Sequence, residues 1–123
     1  MSGHVESISA ITLVTADMAA SVAFYEVLGS EVVFGGAEAS FTTLKLNDGQ
    51  FLNLQFDPTW VRPERVWGRF ILWVDNVDLV YDAFRAAGFA PLMAPLDAVW
   101  GERYFHILDP AGHEVSIARR LDA

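Results

Sequence analysis

The chain has no cysteine among its 123 residues. A disulfide, a thiolate metal site and a cysteine nucleophile are therefore excluded. Imidazole is nearly as scarce, because only His4, His106 and His113 occur. Positive charge is thin as well: eight Lys and Arg stand against sixteen Asp and Glu, a formal net charge of −8. A surface of that sign repels phosphate backbones and attracts cations, so a nucleic-acid partner is not expected. Charged or turn residues interrupt every apolar run before the roughly 20 residues that span a bilayer. The first residues carry neither the basic start nor the apolar stretch of a secretory signal. No membrane partner is expected, and the expected location is the cytoplasm. There is no phosphate-binding glycine loop, since Gly35 and Gly36 form an isolated pair, and no serine-centred nucleophile motif.

What is present is apolar material: 53% of the residues are hydrophobic and 13% aromatic, enough for one ordered core in a chain of single-domain size. The main internal signal is a weak duplication. Asp17 to Leu28-Gly29 is echoed from Asn76 to Ala87-Gly88 at a constant offset, 76 − 17 = 59. Met18, Val22, Tyr25 and Leu28 recur at helical spacing, as do Val77, Tyr81, Phe84 and Ala87. Asp17 and Asn76 are suitable helix N-caps, and Gly29 and Gly88 suit the left-handed residue that ends a helix.

Strand patterns surround each helix. Residues 8–15 and 69–74 precede the helices, and 31–34 and 89–93 follow them. Hairpin arms are expected at 41–46 with 51–56 and at 104–108 with 114–118, joined by turns at 47–49 and 109–112. The chain thus reads as one α+β domain, residues 1–123, made of two βαβββ modules (7–56 and 68–119) with a linker at 57–67. Alternation assigns the faces. Ile11, Leu13, Leu52, Leu54 and Phe56 face the first helix, and Phe70, Leu72, Val74, Val115 and Ile117 the second. The opposite faces carry Ala10, Thr12, Phe41, Thr43, Asn53 and Gln55 in the first module. In the second they carry Arg69, Ile71, Trp73, Tyr104, His106, Glu114 and Ser116. A concave surface of aromatic and polar groups fits a small-molecule cleft.

The run Asp17-Met18-Ala19-Ala20-Ser21-Val22-Ala23-Phe24-Tyr25 with Leu28-Gly29 resembles the first helix of the vicinal oxygen chelate superfamily. Trp100-Gly101-Glu102-Arg103, Tyr104-Phe105 and Asp109-Pro110-Ala111-Gly112-His113 resemble its closing hairpin. The superfamily includes glyoxalase I, extradiol dioxygenases, fosfomycin-modifying enzymes and bleomycin resistance proteins. The resemblance implies paired βαβββ modules forming a cupped sheet with helices outside, commonly in a homodimer. It also implies four metal-ligand positions, which fall here on Ala10, Asn53, Arg69 and Ser116. A methyl, an amide, a guanidinium and a hydroxyl are poor ligands for a divalent ion, so no metal or other cofactor is expected.

The remaining chemistry lies in aromatic and polar groups on the helix-free faces. His106, beside Tyr104 and within reach of Glu114, is the best acid–base candidate, and these three residues form the alternative catalytic set. His113, in a turn, is expected to be solvated. Arg69 either clamps an anion or pairs with Glu114. Trp73 alternates onto the cleft face, and flat rings stack on planar groups and attract cations. The resemblance adds Phe34, Trp60, Trp100, Gly101 and Glu102 as ligand contacts. With Asn53, Gln55, Arg69, Trp73, Tyr104, His106 and Ser116, these residues make up the expected binding site. The function expected is sequestration of a planar or cationic small molecule by a homodimer of the bleomycin-resistance type, without catalysis. The alternative is an enzyme of the same superfamily, either metal-dependent with atypical ligands or using His106.

Overall fold

Both helices begin where the sequence places their caps. Asp17 is extended and its carboxylate accepts from the Ala20 amide at 3.0 Å, opening α1 (Met18–Glu26). Asn76 does the same for Leu79 at 3.1 Å, opening α2 (Val77–Ala86). Each side chain satisfies one of the amides that the first helical turn leaves without a partner. Gly29 (φ 81°) and Gly88 (φ 92°) follow the helices in the left-handed conformation that a side chain would disfavour. The computed structural model describes residues 3–122.

The strands form two four-stranded mixed sheets. In the first, β1 (Ala10–Thr15) runs parallel to β4 (Gln50–Phe56), followed by β3 (Phe41–Asn47) and β2 (Glu31–Phe34), both antiparallel to their neighbours. In the second, β5 (Arg69–Trp73) runs parallel to β8 (Glu114–Arg120), followed by β7 (Glu102–Leu108) and β6 (Leu96–Asp97). This is the duplicated α+β architecture read from the sequence. One strand differs. Residues 89–93 were expected to be extended, but the ladder at this edge is reduced to the Leu92 amide donating to His106 O at 2.9 Å and the two residues of β6. Pro91 and Pro95 have no amide hydrogen to offer, which breaks up a continuous edge strand here.

The alternation holds on the core side. Leu13, Leu52, Leu54, Phe70, Val115 and Ile117 are buried with Phe24 and Phe84 in one cluster that draws on both modules. Phe56, read as core-facing, lies at the end of β4 and is 40% exposed. The rings of Phe24 on α1 and Phe84 on α2 sit 4.7 Å apart, so the helices join the two halves.

Behind this contact lies a buried polar network. Asp109, 1% exposed, accepts from the Tyr25 hydroxyl at 2.6 Å and from the amides of Ala111 and His113 at 3.0 and 2.9 Å. His113, expected in solvent, is only 3% exposed, because the linker folds back over the closing turn. The Trp67 indole donates to His113 Nδ1 at 2.7 Å, and Trp60 stacks on the same imidazole with ring centroids 5.3 Å apart. An indole N–H can only donate, so His113 carries its proton on Nε2, which donates to Val14 O at 2.8 Å. His113 therefore ties the linker and the start of β8 to the edge of β1. His113→Phe keeps the ring but strands a carbonyl and an indole N–H. It is expected to cost about 2–3 kcal/mol in urea unfolding, while Trp67→Phe, which removes one of those bonds, is expected to cost about half as much.

Candidate functional site

The helix-free face of the second sheet gathers most of the chemistry expected in that module. Register fixes its rows. Trp73 pairs across Ala118 with Tyr104, Ile71 across Ser116 with His106, and Arg69 lies beside Glu114 next to Leu108. Ser116 and Ala118 on the central strand are 4% and 1% exposed although no helix covers them. Larger side chains on the flanking strands close over these small residues. Ile71 and Trp73 border one side, at 59% and 55% exposed. Tyr104 and His106 border the other, with ring centroids 5.0 Å apart. Trp100, 65% exposed, extends that row with its ring 5.7 Å from Tyr104. The result is a trough with a small-residue floor between aromatic walls.

The charged groups of the trough are arranged by their neighbours. Arg69 pairs with Glu114, through its Nε and the Glu114 carboxylate, which is the second of the two roles the sequence left open for it. Trp100 donates its indole N–H to Glu102 at 2.8 Å. The guanidinium of Arg120 lies over Trp73, 5.5 Å from the ring centroid. His106 forms no hydrogen bond with Glu114, and its Nδ1 is buried without a hydrogen-bond partner among the described residues. Loss of solvent holds its pKa below the ordinary imidazole range, the positive Arg69 lowers it further, and Glu114 opposes them. The neutral imidazole is therefore favoured, and its unpartnered Nδ1 lies beneath the surface of the trough.

Other expected contacts lie apart from this row. Asn53 and Gln55 belong to β4 in the first sheet, where Asn53 accepts from Thr43 at 2.7 Å and donates to Thr12 at 3.2 Å. Phe34 is exposed on β2 of that sheet. Trp60 packs on His113, and its indole donates to Ala111 O at 2.9 Å, so it braces the closing turn. Gly101, by contrast, adjoins Trp100 just before β7, and its carbonyl accepts from Leu121. Arg120 is the residue sequence reasoning missed. The parity that placed Glu114 and Ser116 on this face runs on through Ala118 to reach it.

Two cavities open at one end of the trough. One of about 310 Å³ is lined by Trp73, Val74, Arg119 and Arg120. The other, about 340 Å³, is lined by Trp100, Gly101, Glu102, Arg120, Leu121 and Asp122. A larger space of about 480 Å³ separates the edges of β1 and β5 and also touches Trp73. Another, about 540 Å³, lies between the start of α1 and residues 37–40, away from the aromatic row.

The four positions that the resemblance marks for metal ligands do not fit a divalent ion. Ala10 has no donor atom. The Asn53 amide is engaged by Thr43 and Thr12, and Arg69 brings a positive charge that Glu114 already partners. Ser116 offers only a neutral hydroxyl. Among the described residues, no group of three or more His, Asp or Glu is placed to hold a metal elsewhere. Nor is any helix there long and apolar enough to cross a membrane.

The sequence model of the glyoxalase/bleomycin resistance protein/dioxygenase superfamily matches residues 7–117. The chain belongs to that superfamily. Solved structures agree on the fold. A glyoxalase/bleomycin resistance protein/dioxygenase from Nocardioides superposes with a TM-score of 0.78 at 22% identity, over 99% of this chain and 88% of that one. A bleomycin resistance determinant encoded on transposon Tn5 gives 0.74 at 23% identity, over 93% and 98%. A lactoylglutathione lyase from Agrobacterium tumefaciens gives 0.74 at 24%, over 94% and 95%. No curated protein sequence matches the chain. The superfamily thus sets the scaffold, and the structures that share it include both a resistance determinant and a lyase, so function must be argued from the site.

Proposed function

We propose that this superfamily member is a non-catalytic binder that sequesters a planar or cationic small molecule, acting as a cytoplasmic homodimer. The observation that carries the reading is the aromatic trough. Trp100, Tyr104 and His106 run in one row opposite Trp73 across a floor of Ser116 and Ala118. Stacking on such walls favours flat ligands, and ring faces attract cations. The metal-ligand positions, filled by a methyl, an engaged amide, a paired guanidinium and a hydroxyl, support binding over metal-dependent turnover. The exposed apolar groups Ile71, Trp73 and Trp100 on one face support its closure by a second copy.

Quenching of tryptophan emission tests the reading directly. Titration with a planar cationic dye and with a bleomycin-type glycopeptide is expected to give saturable quenching, with the ligand recovered chemically unchanged. Trp73→Ala is expected to weaken binding about tenfold without changing the fold seen by circular dichroism. Sedimentation is expected to give twice the 13.6 kDa chain mass. Absence of saturable quenching by any such ligand would remove the proposal. The place of His106 in the row beside Tyr104, with its pKa lowered, supports one second reading, metal-free acid–base catalysis. Turnover that resists chelators and disappears in His106→Ala would establish it.

A further inference from the structure

We propose that Arg120 is an internal cation holding the place of a ligand's cationic head on Trp73, and so decides which ligands the trough admits. The inference rests on the binding function proposed above. Its starting point is how the arginines are satisfied. Arg69 is partnered by Glu114, and Arg103 by Asp78 and Asp97. Arg120 has a ring instead: its guanidinium lies 5.5 Å from the Trp73 centroid, and it forms no ion pair among the described residues. A carboxylate stands nearby, because Glu102 is its register partner on the neighbouring strand. That carboxylate accepts from Trp100 and leaves the guanidinium on the ring.

Arg120 also borders both cavities at this end of the trough, the one at Trp73 and the one at Trp100. It is the residue that their linings share. The stem is long and unbranched, so it can swing into solvent without disturbing β8. Displacement would join the two spaces and leave two ring faces, Trp73 and Trp100, and two carboxylates, Glu102 and Asp122, around them, together with Arg119, whose guanidinium donates to the Asp75 carbonyl. Such a set recognises a planar or extended molecule with an ammonium- or guanidinium-type head, which would take over the contact that Arg120 now makes. A ligand carrying a carboxylate would instead meet Glu102 and Asp122.

The test uses three tricyclic probes of similar shape: N-methylacridinium (cationic), acridone (neutral) and acridine-9-carboxylate (anionic). Each is titrated against the wild-type chain and Arg120→Met, which keeps the stem and loses the charge. Arg85→Met removes the same charge from α2 as a control for net charge. N-methylacridinium is expected to bind Arg120→Met about three- to fivefold more tightly than wild type. Acridone is expected to change by less than about twofold, and Arg85→Met to leave all three probes within that margin. In the wild type, saturating N-methylacridinium is expected to move the Arg120 δ-proton resonances out of the Trp73 ring-current shift. N-methylacridinium binding that leaves those resonances in place would overturn the inference. So would tighter binding of acridine-9-carboxylate than of N-methylacridinium to the wild type, because the guanidinium would then be an anion contact. Failure of all three probes on wild type and variant alike identifies the proposed function itself as the part at fault.

Discussion

Asp109→Ala is expected to lower unfolding stability by about 3–5 kcal/mol in urea titration, because three donors lose one acceptor in a site that water does not reach. The Tyr25 hydroxyl and the amides of Ala111 and His113 all converge on this carboxylate, which is 1% exposed. The contact with Tyr25 spans 84 positions of sequence and joins α1 to the closing turn of the second module. Tyr25→Phe removes only one of the three donors and leaves the backbone pair intact, so about 1–2 kcal/mol is expected. An Asp109→Ala chain with wild-type stability would mean that the network adds nothing to the fold.

The same network gives a pH signature. Burial first, then the negative charge of Asp109 and the hydrogen bond to it, push the Tyr25 pKa well above the ordinary phenol value. A raised folded-state pKa stabilises the fold fully below the unfolded pKa of about 10. Above it the unfolded phenol ionises while the folded one stays protonated, so stability declines as pH climbs toward the folded value. The slope from this group is about 1.4 kcal/mol per pH unit. Tyr25→Phe is expected to lack that component, which urea midpoints measured across pH 9–11 would detect.

Much of the fold was legible because its determinants are local and repeated. Caps at Asp17 and Asn76, left-handed glycines at 29 and 88, and strict alternation in 104–108 and 114–118 each act within a few residues. The 59-position offset checked one half against the other. What escaped was set by contacts distant in sequence. A histidine after Pro-Ala-Gly reads as a turn residue in water, and it is the folding back of the linker, with Trp60 and Trp67, the latter 46 positions away, that buries His113. In the trough, alternation brought Trp73, Tyr104, His106 and Ser116 to one face. Of the residues assigned through family likeness, Trp100 and Glu102 join the trough, whereas Trp60 and Phe34 lie apart from it, because loops and edges are where relatives on one scaffold diverge. Arg120 escaped because the strand was ended two residues early.

Phe84→Ala is expected to cost about 3–5 kcal/mol, the usual range for emptying a fully buried aromatic site. The more informative result is how the chain unfolds. Phe84 is 0% exposed and touches Phe24 of the first module as well as Phe89 and Phe105 of its own. A cavity there loosens the helix pair through which the halves share their core. Circular dichroism and tryptophan emission are expected to report one common transition, with the midpoint lowered by about 10–20 °C. All four tryptophans, Trp60, Trp67, Trp73 and Trp100, lie in the linker or the second module. If circular dichroism persisted after emission had changed, the first module would be standing alone and the shared core would not couple the two. Well below the midpoint, the Phe84→Ala chain is expected to keep the dye affinity of the wild type. The trough lies on the opposite side of the sheet from Phe84, and its walls are positioned by strand register. A parallel loss of affinity would instead show that the aromatic walls depend on the core packing beneath them.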